Sequence, residues 1–293
     1  MENYLNLPNF VELSDPAWTL GSLSLVVAYG ACFAFSIYFV LSSFQLTQRY
    51  RLVAVLSAVV MISAGLSLFR ESLMWDRVYT WDAVRMLHVP MLDGSTFTNA
   101  YRYGNWTITV PLLLTQLPIA MGLPRPDVFK RALRMGIAGI AMIWTGLVGQ
   151  FGEVSDFGLL NLWGVVSTLF FAWLLWEVLA TLRAGAETTP AALQGWRKNI
   201  WWYMLPTWGL YPLAYALPQL GQTETIVVAQ QLMFTTADIT TKLIYGVILA
   251  RFCLRRSALE GHPPAIEALA EPIAIGNPAE TPIAAAAMPE TRV

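Results

Sequence analysis

An aspartate and a lysine stand four residues apart inside an apolar run, in Ala237-Asp238-Ile239-Thr240-Thr241-Lys242. On a helix that spacing puts both side chains on one face, about one turn apart. Ionisable groups at membrane depth are costly and usually functional. Two chemistries suit the pair. It can be a structural ion pair that ties its segment to neighbours. Alternatively, the desolvated amine of Lys242 can condense with an aldehyde to a Schiff base, and Asp238 can be the counter-ion of the protonated form. A second set lies in Arg102-Tyr103-Gly104-Asn105-Trp106-Thr107-Ile108-Thr109-Val110-Pro111, followed by Gln116. On a helix Asn105 and Thr109 are about 40° apart, and Gln116 returns to within about 20° of Asn105. The three form one polar stripe with Arg102 at its outer end. Interhelical hydrogen bonding in a membrane accounts for such a stripe equally well. Asn105-Trp106-Thr107 also spells a glycosylation sequon, which we discount inside a spanning segment. Trp106, Trp208 and Tyr211 fall at similar depth and either wall a flat apolar pocket or pack as core. Pro212 adds a kink of the kind membrane helices tolerate.

The elements that must position these residues are apolar and long. The 293 residues are 56% hydrophobic and only 13% charged, with a mean hydropathy of +0.52. Such a chain cannot cover itself with polar surface, and disordered, collagen-like and disulfide-stapled classes are excluded as well. A net charge of -1 without a long basic run excludes nucleic acid as a partner. Cys32 and Cys253 lie in apolar stretches without a neighbouring cysteine and are expected to pack, with neither a disulfide nor a metal. His88 and His262, both expected in loops, are too far apart for a metal site. Seven apolar stretches have spanning length: 20–44, 52–75, 101–122, 132–152, 158–182, 199–220 and 226–252. Continuous rather than alternating apolarity makes them helices. The expected organisation is an all-α bundle of seven transmembrane helices in residues 20–256. An extracellular segment, 1–19, precedes it, with room for a short interfacial helix, and a disordered cytoplasmic tail, 257–293, follows. The N-terminal segment lacks the basic start of a signal peptide. Arg and Lys cluster after spans 1, 3, 5 and 7, which puts the N-terminus outside and the C-terminus in the cytoplasm. The loop at 76–98, ending in Asp93-Gly94, suits a small hairpin.

Taken together, Arg-Tyr-x-x-Trp in span 3, Trp-x-x-Tyr-Pro in span 6 and Asp-x-x-x-Lys in span 7 resemble the microbial rhodopsins. The resemblance covers all seven spans. It implies a light-driven membrane protein rather than an enzyme, with all-trans retinal joined to Lys242. It implies a retinal pocket of Trp106, Met142, Gly146, Ser167, Thr168, Trp208, Tyr211 and Pro212. It also implies a counter-ion complex of Asp238 and Arg102. Outward proton pumps of this family carry acids where this chain has Asn105 and, usually, Gln116. The sodium pumps read Asn-Asp-Gln, whereas the middle residue here is Thr109. The Asn-Thr-Gln pattern, with the surrounding Phe97-Thr98-Asn99-Ala100-Tyr101 and Trp163-Gly164-Val165-Val166-Ser167-Thr168, resembles the bacterial chloride-pumping rhodopsins.

The resemblance therefore implies an inward chloride pump in a bacterial plasma membrane, assembled as a homo-oligomer in the lipid bilayer. The alternatives are a sodium pump or a sensory rhodopsin of the same fold, or a seven-helix receptor or transporter without retinal. Charge arithmetic favours the anion. A cation on Lys242 and another on Arg102 face one fixed acid, Asp238, and a mobile chloride can fill the deficit. Asn105 and Thr109 offer it N–H and O–H donors, Asn99 assists entry, and Gln116 lines the cytoplasmic exit. Related pumps with a carotenoid antenna carry a glycine at the position of Gly164. Here that glycine either opens a window to a carotenoid or lets spans 5 and 6 pack closely.

Overall fold

A computed structural model describes residues 6–91 and 96–262. Seven long helices run in chain order: α1 (Asp15–Ser43), α2 (Arg51–Val78), α3 (Ala100–Ala120), α4 (Arg125–Gln150), α5 (Phe157–Ala184), α6 (Gln194–Ala216) and α7 (Glu224–Leu259). Five of them (α1, α2, α4, α5 and α7) are long and apolar enough to cross a membrane on their own terms. The other two, α3 and α6, carry the polar stripe and the aromatic motif and are therefore less apolar. Consecutive helices pack side by side, and α7 closes the bundle against α1 and α6.

Several helices outrun the apolar stretches expected from the sequence. Helix α4 begins at Arg125, so Lys130, Arg131 and Arg134 lie on the helix itself and not in a connecting loop. Helix α7 continues to Leu259, three residues into the stretch expected to be disordered. Tertiary bonds explain the extension. Ser257 bonds with Thr47, and Glu260 accepts from Tyr50 Oη at 2.7 Å. Arg256 donates to Ala120 O and Thr188 O. The rest of the expected tail lies outside the described residues. Gly122, after α3, sits at φ +67°, and a Cβ there would meet the Arg256 guanidinium at 2.5 Å. Only glycine accepts both demands.

At the opposite end the expected hairpin forms from β2 (Tyr79–Asp82) and β3 (Leu87–Pro90). Its turn falls at residues 83–86, where Asp82 Oδ1 accepts from Val84 N and Arg85 N. Asp93-Gly94 lies outside the described residues. A third strand, β1 (Leu13–Ser14), pairs antiparallel with β3 through Leu13↔His88 and Ser14↔Leu87. His88 is thus a strand residue, not a loop residue, stacked on Trp18 with ring centroids 4.4 Å apart. The N-terminal segment forms a short 3-10 helix, Leu7–Asn9, and Asp15 already belongs to α1. Glu153, in the α4–α5 connection, anchors that 3-10 turn by accepting from Leu7 N at 3.0 Å and Asn6 Nδ2 at 2.5 Å. Cys32 and Cys253 are buried, and neither forms a disulfide.

Candidate functional site

Helix α7 changes winding where the chemistry lies. Ile239–Ile244 forms a π-helical turn around Lys242. Such turns widen the helix and release backbone carbonyls, and they recur at functional sites. One carbonyl of this turn, Thr240 O, accepts from Tyr203 Oη of α6 at 2.7 Å. Lys242 and Asp238 are about 1% and 3% exposed and form a direct ion pair.

Asp238 is the centre of the arrangement. It accepts from Trp106 Nε1 at 3.0 Å, Tyr211 Oη at 2.9 Å, Arg102 Nη1 at 3.1 Å and Lys242 Nζ. Tyr211 Oη also contacts Thr241 Oγ1 at 3.0 Å and accepts from Lys242 Nζ at 3.2 Å. Four donors fix this carboxylate as an anion between two cations. The sequence-expected complex of Lys242, Asp238 and Arg102 is brought together, with Trp106 and Tyr211 as part of it.

Arg102 has a second acid that the sequence reading missed. Glu71 of α2 is fully buried, with Oε2 3.4 Å from Arg102 Nε. The signal was present, because Glu71 is an acid within the expected span at 52–75. Gln231 accepts from Arg102 Nη2 at 3.1 Å, with Thr235 Oγ1 at 3.5 Å. The charge count therefore changes: two acids, not one, face the two cations.

The stripe on α3 turns toward α2. Asn105 Nδ2 donates to Ser63 Oγ at 2.7 Å, and Gln116 Oε1 accepts from Ser57 Oγ at 3.0 Å. Thr109 Oγ1 donates to the Asn105 carbonyl at 3.0 Å. Asn105 is half-buried, whereas Thr109 and Gln116 are fully buried. Among the described residues, the acceptor for the Asn105 amide nitrogen is Ser63 Oγ. Asn99 stands one turn beyond Arg102, fully buried, with both side-chain polar atoms unpartnered among the described residues. Its backbone N–H donates to Asn6 Oδ1. No hydrogen bond described joins Asn99 to the Asp238 complex.

A cavity of about 250 Å³ lies among α3, α4, α5 and α6. Its lining includes every expected pocket residue: Trp106, Met142, Gly146, Ser167, Thr168, Trp208, Tyr211 and Pro212, and Gly164 as well. Lys242 is not itself in the lining. Its amine lies 5.9 and 5.8 Å from the ring centroids of Trp106 and Tyr211, both of which line the cavity. The residues fit a long, flat, apolar ligand such as retinal. A Cβ on Gly146 would press on Ser167 Oγ and the Tyr103 ring at 3.3 Å, so glycine keeps that stretch of wall thin. Trp208 Nε1 is buried without a partner. Gly164 answers part of its question. A Cβ there would meet the Tyr215 ring at 2.9 Å, so the glycine does permit close packing of α5 and α6. Yet Val165, Thr168, Pro212 and Ala216 line the same cavity and are exposed on the outside of the bundle.

Residues 19–255 match the family model described as bacteriorhodopsin-like protein. Among solved structures, xanthorhodopsin, described as a light-driven ion pump with dual chromophore, is 30% identical. That match covers 85% of this chain and 98% of xanthorhodopsin, with a TM-score of 0.78. Bacteriorhodopsin-II-like protein of Haloquadratum walsbyi is 30% identical over 152 residues, covering 50% of this chain and 58% of that protein. Bacteriorhodopsin of Halobacterium salinarum is 28% identical over 150 residues, covering 51% and 55%. The chain spans little more than half the length of these two curated relatives. Family match and helix order agree along the whole bundle: this chain belongs to the bacteriorhodopsin-like family of microbial rhodopsins, which bind retinal through a lysine Schiff base and are not enzymes.

Proposed function

We propose that this protein is a light-driven pump that moves chloride inward across a bacterial plasma membrane, with retinal carried on Lys242. The observation that carries the reading is the α3 stripe. Asn105, Thr109 and Gln116, backed by Ser63 and Ser57, form a row of uncharged polar groups along α3, the helix that also brings Arg102 and Trp106 to Asp238. Amides and hydroxyls offer hydrogen bonds to an anion but cannot take a proton near neutral pH. A proton pump needs an acid in this row, and a cation pump needs a negative ligand there.

Retinal bound at Lys242 supplies one thing, a light-driven isomerisation that turns the cationic N–H from one half of the protein toward the other. The residues do the rest. Arg102 draws the anion in from the hairpin end, assisted by Asn99. The Asn105 amide holds it next to Lys242, and the Thr109 hydroxyl turns from the Asn105 carbonyl to join. Asp238 stays ionised throughout, because four donors hold it. Gln116 and Ser57 receive the anion on the far side, toward the Arg-rich cytoplasmic ends. The test is light-driven ion flux in chloride against sulfate medium. Acidification of the medium that a protonophore abolishes would instead identify an outward proton pump.

The exposed lining residues between α5 and α6 favour a second ligand. A carotenoid lying against Gly164, Val165 and Ala216 would pass excitation to the pocket. Purified protein mixed with hydroxylated carotenoid should show carotenoid bands in its transport action spectrum, and Gly164→Trp should erase them. An action spectrum that follows retinal alone, with bound carotenoid verified, refutes the antenna.

A further inference from the structure

With both acids ionised, the buried charges around Asp238 balance without an anion. Lys242 and Arg102 contribute two positive charges, and Asp238 and Glu71 contribute two negative ones, all at most 3% exposed. Chloride beside Asn105 would leave this interior one negative charge in excess, and burying an uncompensated charge is strongly unfavourable. One of the acids must then give up its charge. Asp238 is the wrong candidate, since it accepts four hydrogen bonds, two of them from cations. Hydrogen bonds to the charged form favour that form. Glu71 is the opposite case. Among the described residues neither of its carboxyl oxygens receives a hydrogen bond, and its close partner is Arg102 Nε at 3.4 Å. Arg102 would keep Asp238 if Glu71 became neutral.

We propose that Glu71 binds a proton when chloride occupies the site beside Lys242, so that the anion and a proton enter the outer half together. The proposal rests on the anion-pump reading above. The charged groups acting on Glu71 are Arg102 of α3, Asp238 of α7 and Arg70 of its own helix, the last held over the Tyr101 ring at 3.7 Å. Lys242 lies beyond Asp238. From α1, Cys32 packs on Gly65, nearly two turns further in. When light sends the anion inward, Glu71 regains its charge and returns its proton to the outer side. The device carries no net proton but makes anion affinity depend on outside pH.

The experiment is a chloride titration of the retinal-bound full chain in sulfate medium, at a series of pH values. The visible band and the proton balance of the weakly buffered solution are recorded together. Wild type should take up about one proton per chloride bound above the midpoint of Glu71, with apparent Kd rising about tenfold per pH unit. The visible band shows throughout that the lysine nitrogen stays protonated and is not the acceptor. Glu71→Gln should bind chloride with a Kd independent of pH and take up no proton. A chloride-induced band shift in wild type without proton uptake at any pH overturns the linkage and leaves the pump reading intact. Proton uptake that persists in Glu71→Gln assigns it to another acid and overturns the proposal. If Glu71→Gln fails to fold, the infrared difference spectrum of wild type decides. A protonated carboxyl band appearing with chloride supports the proposal, and its absence overturns it. No spectral response to chloride at any pH overturns the linkage and the anion reading together.

Discussion

Replacing Asp238 by Asn removes the carboxylate that two buried cations share. The Arg102 Nη1–Asp238 Oδ2 separation is 3.1 Å. At an effective dielectric of about 20, unit charges at that distance attract by about 5 kcal/mol. Truncating one partner of a buried pair costs about 3–5 kcal/mol by experience with other proteins. Arg102 keeps Glu71 nearby, so most of the loss falls on Lys242, whose acid partner among the described residues is Asp238 alone. The retinal-free Asp238→Asn variant should therefore be less stable by about 3–5 kcal/mol. For a chain of this size, that is roughly 6–20 °C in Tm. Thermal unfolding in detergent, followed by circular dichroism, reads the shift. The control is Asp156→Asn, an exposed N-cap that accepts from Leu159 N, where Asn caps as well as Asp. A melting point for Asp238→Asn no lower than that of the control would refute the pairing argument.

Lys242→Ala should yield folded protein that stays colourless when retinal is added; a visible band from covalently bound chromophore in that variant would reassign the attachment site. Asn105→Asp should weaken chloride binding at least tenfold, because a fixed carboxylate takes the ion's place, and chloride titration of the visible band measures it. In wild type, removing chloride should shift that band to the red, since a weaker counter-charge favours the delocalised excited state. Glu153, in the connection after α4, offers a pH test of stability. Burial raises its carboxyl from 4.5 to about 7, against hydrogen bonds from Leu7 N, Asn6 and Gln230 that lower it. The folded state then holds a proton that the unfolded chain has lost. Its contribution, about 3 kcal/mol, is complete below pH 4.5 and fades as pH rises to about 7. Denaturant melts across that window should show the decline, and Glu153→Gln should flatten it.

The bundle was legible because apolar runs of spanning length have one solution in a bilayer. The cavity lining was legible only through the resemblance to the microbial rhodopsins, which the motifs of spans 3, 6 and 7 carry; helical spacing alone left those aromatics equally open to core packing. Local pattern carried less about ends and partners. The start of α4 at Arg125 was hidden, because apolar length marks the hydrocarbon crossing and not the helix. The third strand, Leu13–Ser14, is two residues long and exists only through pairing with β3. The π-helical turn at Ile239–Ile244 has no composition of its own. Glu71 shows the main gap. Its type and place in span 2 were visible, yet its meaning depends on Arg102 lying 3.4 Å away across two helices. That pairing changes a site one charge short into a neutral one.

The most direct test of the central claim is light-driven pH change in a suspension of cells expressing the protein with retinal, with a protonophore present. Inward chloride transport makes the interior negative and pulls protons in passively. Illumination in chloride medium should therefore turn the medium alkaline, the protonophore should enlarge the signal, and sulfate in place of chloride should abolish it. A signal of the same size in sulfate, or an acidification that the protonophore removes, would contradict the account.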